Sequence, residues 1–177
     1  HNKPLSGKEV FKTLSKQNQK RHVRLDNLKK TIEANYQRLG YASQGMLESH
    51  LQKLDGLLES HLRLLQAEER HKRFSMTSAR EEVARDIQSL RREVETASPK
   101  VRAIKQRRLS ILERRLDKFK RANENLEIIE AQLETIEDVT KYIHEQSMTM
   151  RNPEEITFQL DTLLSEVEET QASVEEV

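Results

Sequence analysis

The sequence predicts an all-α fold, an elongated antiparallel coiled coil or helical bundle with a projecting two-helix arm, and three observations carry that reading. Breakers are scarce, with four Gly and three Pro in 177 residues, too few for the turns of an all-β or doubly wound chain. Helix-start signals stand out at intervals along the chain. Between them, apolar residues recur three and four apart, the period of a helix that buries one stripe. Apolar and charged residues each make up 34% of the chain, against roughly 45–50% apolar in ordinary globular domains. The seams are therefore narrow, and a thick core around a ligand pocket is not expected. The length fits a single helical domain.

The first helix is announced by Ser6-Gly7-Lys8-Glu9, a capping box in which the Ser hydroxyl accepts the residue-9 amide and the Glu reaches back. Its pattern runs to about Leu39, where Gly40 supplies a left-handed stop. Phe11, Leu14, Leu25, Leu28, Ile32 and Leu39 share one heptad seam, with Asn18, Arg21 and Asn35 in the intervening slots. Asparagine there commonly fixes register and partner number.

Ser43 opens the second helix. Ser78-Ala79-Arg80-Glu81 is another capping box, standing either at a new start or inside one continuous or kinked rod over 44–97. Within that rod, Met46–Gly56 recurs as Leu57–Ala67, a period of eleven. Eleven residues make three turns and keep the seam nearly straight. Two copies are too few for a solenoid.

Ser98-Pro99 and Asn152-Pro153 each place Pro at a first helical position behind a capping side chain. No Gly or Pro interrupts 100–151, so a helix of almost fifty residues, ~70 Å at ~1.5 Å per residue, is expected. Its seam runs Leu109, Leu112, Leu116, Phe119, Asn123, Leu126, slips by one at Ile129, and resumes through Leu133, Ile136, Thr140 and Ile143. Such a slip locally overwinds a coiled coil. The last helix occupies 153 to about 175.

The net charge of +1 hides strong blocks. Residues 1–46 carry ten basic and three acidic side chains, 99–125 again ten and three, and 126–177 two and fourteen. Short connections make successive helices antiparallel neighbours. The expected body then spans 6–74 and 124–175 and the arm 75–123, with the basic first helix facing the acidic block. In the arm, apolar spacing pairs Val83 with Leu116, Ile87 with Leu112 and Leu90 with Leu109. The same register would bring Asp86 near Arg115 and Glu93 near Arg108.

Chemical motifs are few. There is no Cys, which removes disulfides, thiolate zinc sites and thiol nucleophiles and is compatible with a reducing cytosol. No run of 18 apolar residues spans a membrane, and no signal peptide opens the chain. The chain begins with His1 rather than Met and reads as an excised soluble piece of a larger protein, which leaves room for a membrane anchor outside it. A Gly-rich phosphate loop, His-Glu-x-x-His and nucleophile motifs are all missing. Glu68-x-x-His71 is half of a helical di-iron pattern, which needs a second such pair. His50 and His61 hold equivalent repeat positions ~16 Å apart at ~1.5 Å per residue, too far for one metal, and read as packing residues at the seam edge. No catalytic residue, metal or cofactor is expected.

The residues best suited to a partner are basic. Lys100, Arg102, Lys105, Arg107 and Arg108 cluster beside Pro99, and Arg107, Arg114 and Arg121 recur every seven. A row of guanidinium groups ~10 Å apart matches phosphates or carboxylates. Nucleic-acid binding is disfavoured by the absence of aromatics among these basic residues to stack bases. The expectation is a non-enzymatic, cytoplasmic scaffold or protein-interaction module, with a protein partner or homodimer. The alternative is a polyanion binder using 100–121 on nucleic acid or an anionic membrane surface.

Overall fold

The computed structural model describes residues 5–39, 44–76, 79–149 and 152–175. Among these residues the chain forms six helices and no strand, with 93% helical. In order they are α1 (Gly7–Thr13), α2 (Lys16–Leu39), α3 (Gln44–Ser75), α4 (Ala79–Thr96), α5 (Pro99–Ser147) and α6 (Pro153–Val174). Among the described residues, no helix is long and apolar enough to cross a membrane.

The capping box forms as read: Glu9 N donates to Ser6 Oγ at 3.4 Å and Ser6 N to Glu9 Oε2 at 3.2 Å. Asn152 Oδ1 accepts from Glu155 N at 3.3 Å with Pro153 at the first helical position. The α5 helix continues unbroken for 49 residues. The proposed signals at Gly40, Ser43 and Ser78 lie outside the described residues.

The first helix, read as continuous to Leu39, is broken. Leu14 turns extended, with ψ of 153°, and the chain restarts at Lys16. Ser15 explains the break, because its Oγ accepts from Asn18 N at 3.2 Å as an N-cap, while its own N–H donates to Glu69 at 2.7 Å. The Phe11 carbonyl accepts from Leu14 N at 3.2 Å and from Gln19 Nε2 at 3.0 Å. The bend keeps Leu14 buried and turns Val10 fully inward, leaving Phe11 half-buried.

The chain divides into two compact units, His1–Glu69 with Ile128–Glu176, and Arg70–Glu127. The first is a helical bundle whose core draws Val10 from α1, Ile32 and Tyr36 from α2, Leu54, Leu57 and Leu65 from α3, Leu133 and Ile136 from α5, and Ile156, Leu160 and Val167 from α6. Each such side chain contributes roughly 1.5–3 kcal/mol on burial. His50 and His61, expected at the seam edge, are fully buried within it.

In the second unit, Val83, Ile87 and Leu90 of α4 cluster with Leu112 and Phe119 of α5, and Leu109 and Leu116 pack half-buried against them. Phe74 stacks on Phe119 with ring centroids 4.7 Å apart. The ion pairs differ from the expected ones. Asp86 meets Arg108 at 3.8 Å rather than Arg115, and Glu93 meets Lys105 at 3.3 Å rather than Arg108. Exposed Arg and Lys stems span a helical turn at little cost, so apolar register does not dictate their partners. The α5 seam is also corrected: Ala122 and Asn125 are buried, and Asn123 is exposed. A three-residue step after Phe119 turns the small Ala122 inward, placing the slip a turn or two before Ile129.

Candidate functional site

The seven basic residues singled out in the sequence all lie on α5, and they fall into two groups. Arg102 is structural: its Nε donates to the Val94 carbonyl and its Nη2 to the Ala97 carbonyl, both at 3.1 Å, closing the end of α4. Lys105 and Arg108 reach Glu93 and Asp86, and Arg121 reaches Asp117 one turn back at 3.1 Å. Lys100, Arg107 and Arg114 are exposed and make no ion pair among the described residues. The first turn of α5 contains no acidic residue, although a helix N-terminus carries partial positive charge and favours acids. Only Arg102 is repaid locally for that arrangement.

Two aliphatic side chains complete this face and escaped the sequence reading. Ile104 and Ile111 are 65% and 49% exposed. They sit seven apart on one stripe, with Arg107 and Arg114 along one flank and Arg108 and Arg115 along the other. The available signal was their phase: both fall off the Leu109–Leu112–Leu116 seam and therefore point away from α4.

A second constellation lies inside the first unit. Glu130 and Glu137, seven apart on α5, both turn toward Arg21 of α2. Arg21 Nε donates to Glu137 Oε2 at 2.6 Å and Nη2 to Glu137 Oε1 at 3.1 Å, while Nη1 and Nη2 hold Glu130 at 3.2 and 3.0 Å. Glu68 of α3 approaches the same guanidinium at 3.7 Å and accepts from Asn18 Nδ2 at 3.4 Å. Glu137 also meets His61 Nε2 at 2.8 Å, and His61 Nδ1 lies 3.0 Å from His22 Nδ1. His61 Nε2–H donates to Glu137, and of the two facing Nδ1 atoms one must donate and the other accept.

The electrostatics follow from this wiring. Burial would raise the Glu137 carboxyl, but hydrogen bonds from His61 and Arg21 outweigh it and hold the group at about 2. Burial, together with the neighbouring His61, pulls His22 down to about 4. Arg21 is half-buried, which works against its charge, yet the two carboxylates raise its pKa above the ordinary value. The Glu130 carboxyl is lowered by its hydrogen bonds from Arg21, and the Glu68 carboxyl is raised by burial. A cleft of about 210 Å³ beside Glu137 is lined by Arg21, Arg24, Leu25, Leu28 and Lys141.

His50, one repeat before His61, has different partners. Its Nδ1 lies 3.0 Å from Tyr36 Oη and its Nε2 2.6 Å from Thr157 Oγ1, and Thr157 Oγ1 donates to the Pro153 carbonyl at 3.2 Å. Thr157 has one proton to give, so it accepts from His50 Nε2–H, and His50 Nδ1 accepts from Tyr36. Burial raises Tyr36 to about 12 and, with Lys53 nearby, lowers the His50 pKa. Among the described residues, no buried side-chain nitrogen or oxygen lacks a partner, and no group of three or more His, Asp or Glu is disposed to hold a metal.

Sequence reasoning placed Arg21 and Asn18 at core slots but did not see Glu130, Glu137 or His22. Their signal was the seven-residue spacing of the two glutamates around Leu133, opposite a lone core arginine. Asn35, another core-slot asparagine, donates to Ser147 Oγ at 2.9 Å. Fold and sites together define an all-α helical bundle keyed by internal polar contacts, with a basic, partly aliphatic helix face turned to solvent. No family model matches the chain, and neither curated proteins nor solved structures show a match.

Proposed function

We propose that this chain is a non-enzymatic helical scaffold, a protein-interaction module that offers the outward face of α5 to a protein partner. In this reading α4 and the first part of α5 form an antiparallel coiled-coil pair. The observation that carries it is the contrast between the two constellations. The polar groups of the bundle are turned onto one another, Arg21 across two carboxylates, whereas Arg107 and Arg114 flank exposed Ile104 and Ile111. A face that mixes exposed aliphatic and guanidinium groups is the composition of protein interfaces, where arginine is enriched.

The alternative is a polyanion binder acting through 100–121, favoured by the exposed, unpaired Lys100, Arg107 and Arg114. Binding of the full chain to an acidic amphipathic peptide, a nucleic acid duplex and phosphatidylserine-containing vesicles, each at low and high salt, separates the two. The module reading expects the peptide to bind and the Arg107→Gln/Arg114→Gln variant to lose it with folding intact. Preference for nucleic acid or vesicles, with a steep salt dependence, selects the alternative. Binding to none of the three removes both.

A further inference from the structure

A second face of the molecule matches the α5 stripe in chemistry. On α6, Phe158 is 65% exposed. It lies with Asp161, Thr162, Ser165, Glu166 and Glu169 along a shallow surface groove. Phe158, Thr162, Ser165 and Glu169 fall on one helical stripe, flanked by Asp161 and Glu166. Here an exposed aromatic sits in an acidic field, and on α5 two exposed isoleucines sit in a basic one.

We propose that the α5 stripe of one copy takes the Phe158 face of α6 from a second copy of this chain. The inference rests on the interaction-module reading and names its partner. Spacing agrees with charge. Ile104 and Ile111 are ~10 Å apart along the helix at ~1.5 Å per residue, leaving a gap that a phenyl ring fills. With Phe158 centred there and the helices parallel, Glu166 falls ~12 Å further on. Arg114 and Lys118 lie ~10 and ~16 Å from the same centre and bracket it. Glu169, another turn along, reaches Lys118 and Arg121. Apolar contact supplies the centre of the patch, and the charges at its rim set partner and direction.

The contact is heterologous, because the two faces differ. It closes as a two-fold dimer only where both copies engage reciprocally, and otherwise propagates to rings or open chains. Both faces are already exposed helix surfaces.

Sedimentation velocity of the full chain across a wide concentration range, at low and moderate salt, tests the proposal. We expect species larger than the 20.8 kDa chain to grow with concentration and to weaken with salt. Arg107→Glu/Arg114→Glu and Glu166→Lys/Glu169→Lys should each weaken self-association by roughly tenfold or more, with helical content unchanged. Mixing the two reversed variants should restore it, because each then offers the other a complementary pair of faces.

A single 20.8 kDa species at every concentration, reversed variants that associate like the parent, or a mixture that stays dissociated would each overturn the inference. Vesicle binding that depends on Arg107 and Arg114, without self-association, would overturn it in favour of a lipid surface. A monomer that still binds the acidic peptide refutes self-docking alone and leaves the module reading standing.

Discussion

Nδ1 of His22 lies 3.0 Å from Nδ1 of His61, and the two rings stack with centroids 5.2 Å apart. Burial penalises a charge on His22, and the neighbouring imidazole adds to the penalty, holding it at about 4 against an ordinary 6.5. In the unfolded chain His22 binds its proton first, so folding stability is lost as pH falls from 6.5 toward 4. Glu137, at about 2 against 4.5, adds a second loss as pH falls from 4.5 toward 2. Thermal unfolding followed against pH should therefore decline in two overlapping stages. His22→Gln should shrink the upper stage and spare the lower. His50, also lowered by burial, keeps part of the upper stage alive in that variant.

Arg21 is the only cation hydrogen-bonded to both Glu130 and Glu137 among the described residues. Arg21→Met would leave two half-buried carboxylates facing each other, at a cost of about 2–4 kcal/mol near neutral pH. Arg21→Lys should recover only part, because an ammonium cannot reproduce two forked contacts. Urea denaturation measures both, and adding Glu137→Gln to Arg21→Met should give back some of the loss.

At His50, deletion removes the link between the buried Tyr36 hydroxyl and the half-buried Thr157 hydroxyl. His50→Ala should cost about 3 kcal/mol, combining a cavity with unpaired Tyr36 and Thr157 groups. Tyr36→Phe, which deletes one hydroxyl and keeps the ring, should cost only about 1 kcal/mol. The ordering of the two midpoints in denaturant is the check.

Ser15 ends one helix and begins the next. Ser15→Ala should cost about 1 kcal/mol through the lost cap. Glu69→Gln, whose amide oxygen still accepts from Ser15 N, should cost less than Glu69→Ala. Denaturation curves of the three variants decide it.

The helix inventory was legible wherever local chemistry announces itself. Pro153 behind Asn152, the Ser6 box and the breaker-free stretch of α5 all depend on a few neighbouring residues. The break at Ser15 was not legible, although Ser15-Lys16-Gln17-Asn18 contains the cap. What makes it a break is Glu69, 54 positions away. The polar centre was half-visible for the same reason. Arg21 at a core slot stands out in a heptad, but its carboxylates lie 109 and 116 positions downstream. At the outward face of α5 the basic residues were obvious, and the isoleucines were overlooked because apolar residues are read first as core.

The eleven-residue repeat in α3 creates an ambiguity that its histidines resolve. Sliding α3 by one repeat along its neighbours would exchange Leu54 for Leu65 and Leu47 for Leu58, so the apolar stripe alone scarcely distinguishes the two alignments. The histidines do. In the slipped alignment His61 would face Tyr36 and Thr157 with Lys72 opposite Glu137, or His50 would face Glu137 with Tyr36 and Thr157 deprived of an imidazole, so whichever way the helix moved one histidine contact would be lost. Identical residues with unlike counterparts thus act as a two-tooth key. A competing misfolded basin of nearly equal apolar content is raised in energy, and the chain can tolerate a duplicated segment without a duplicated fold.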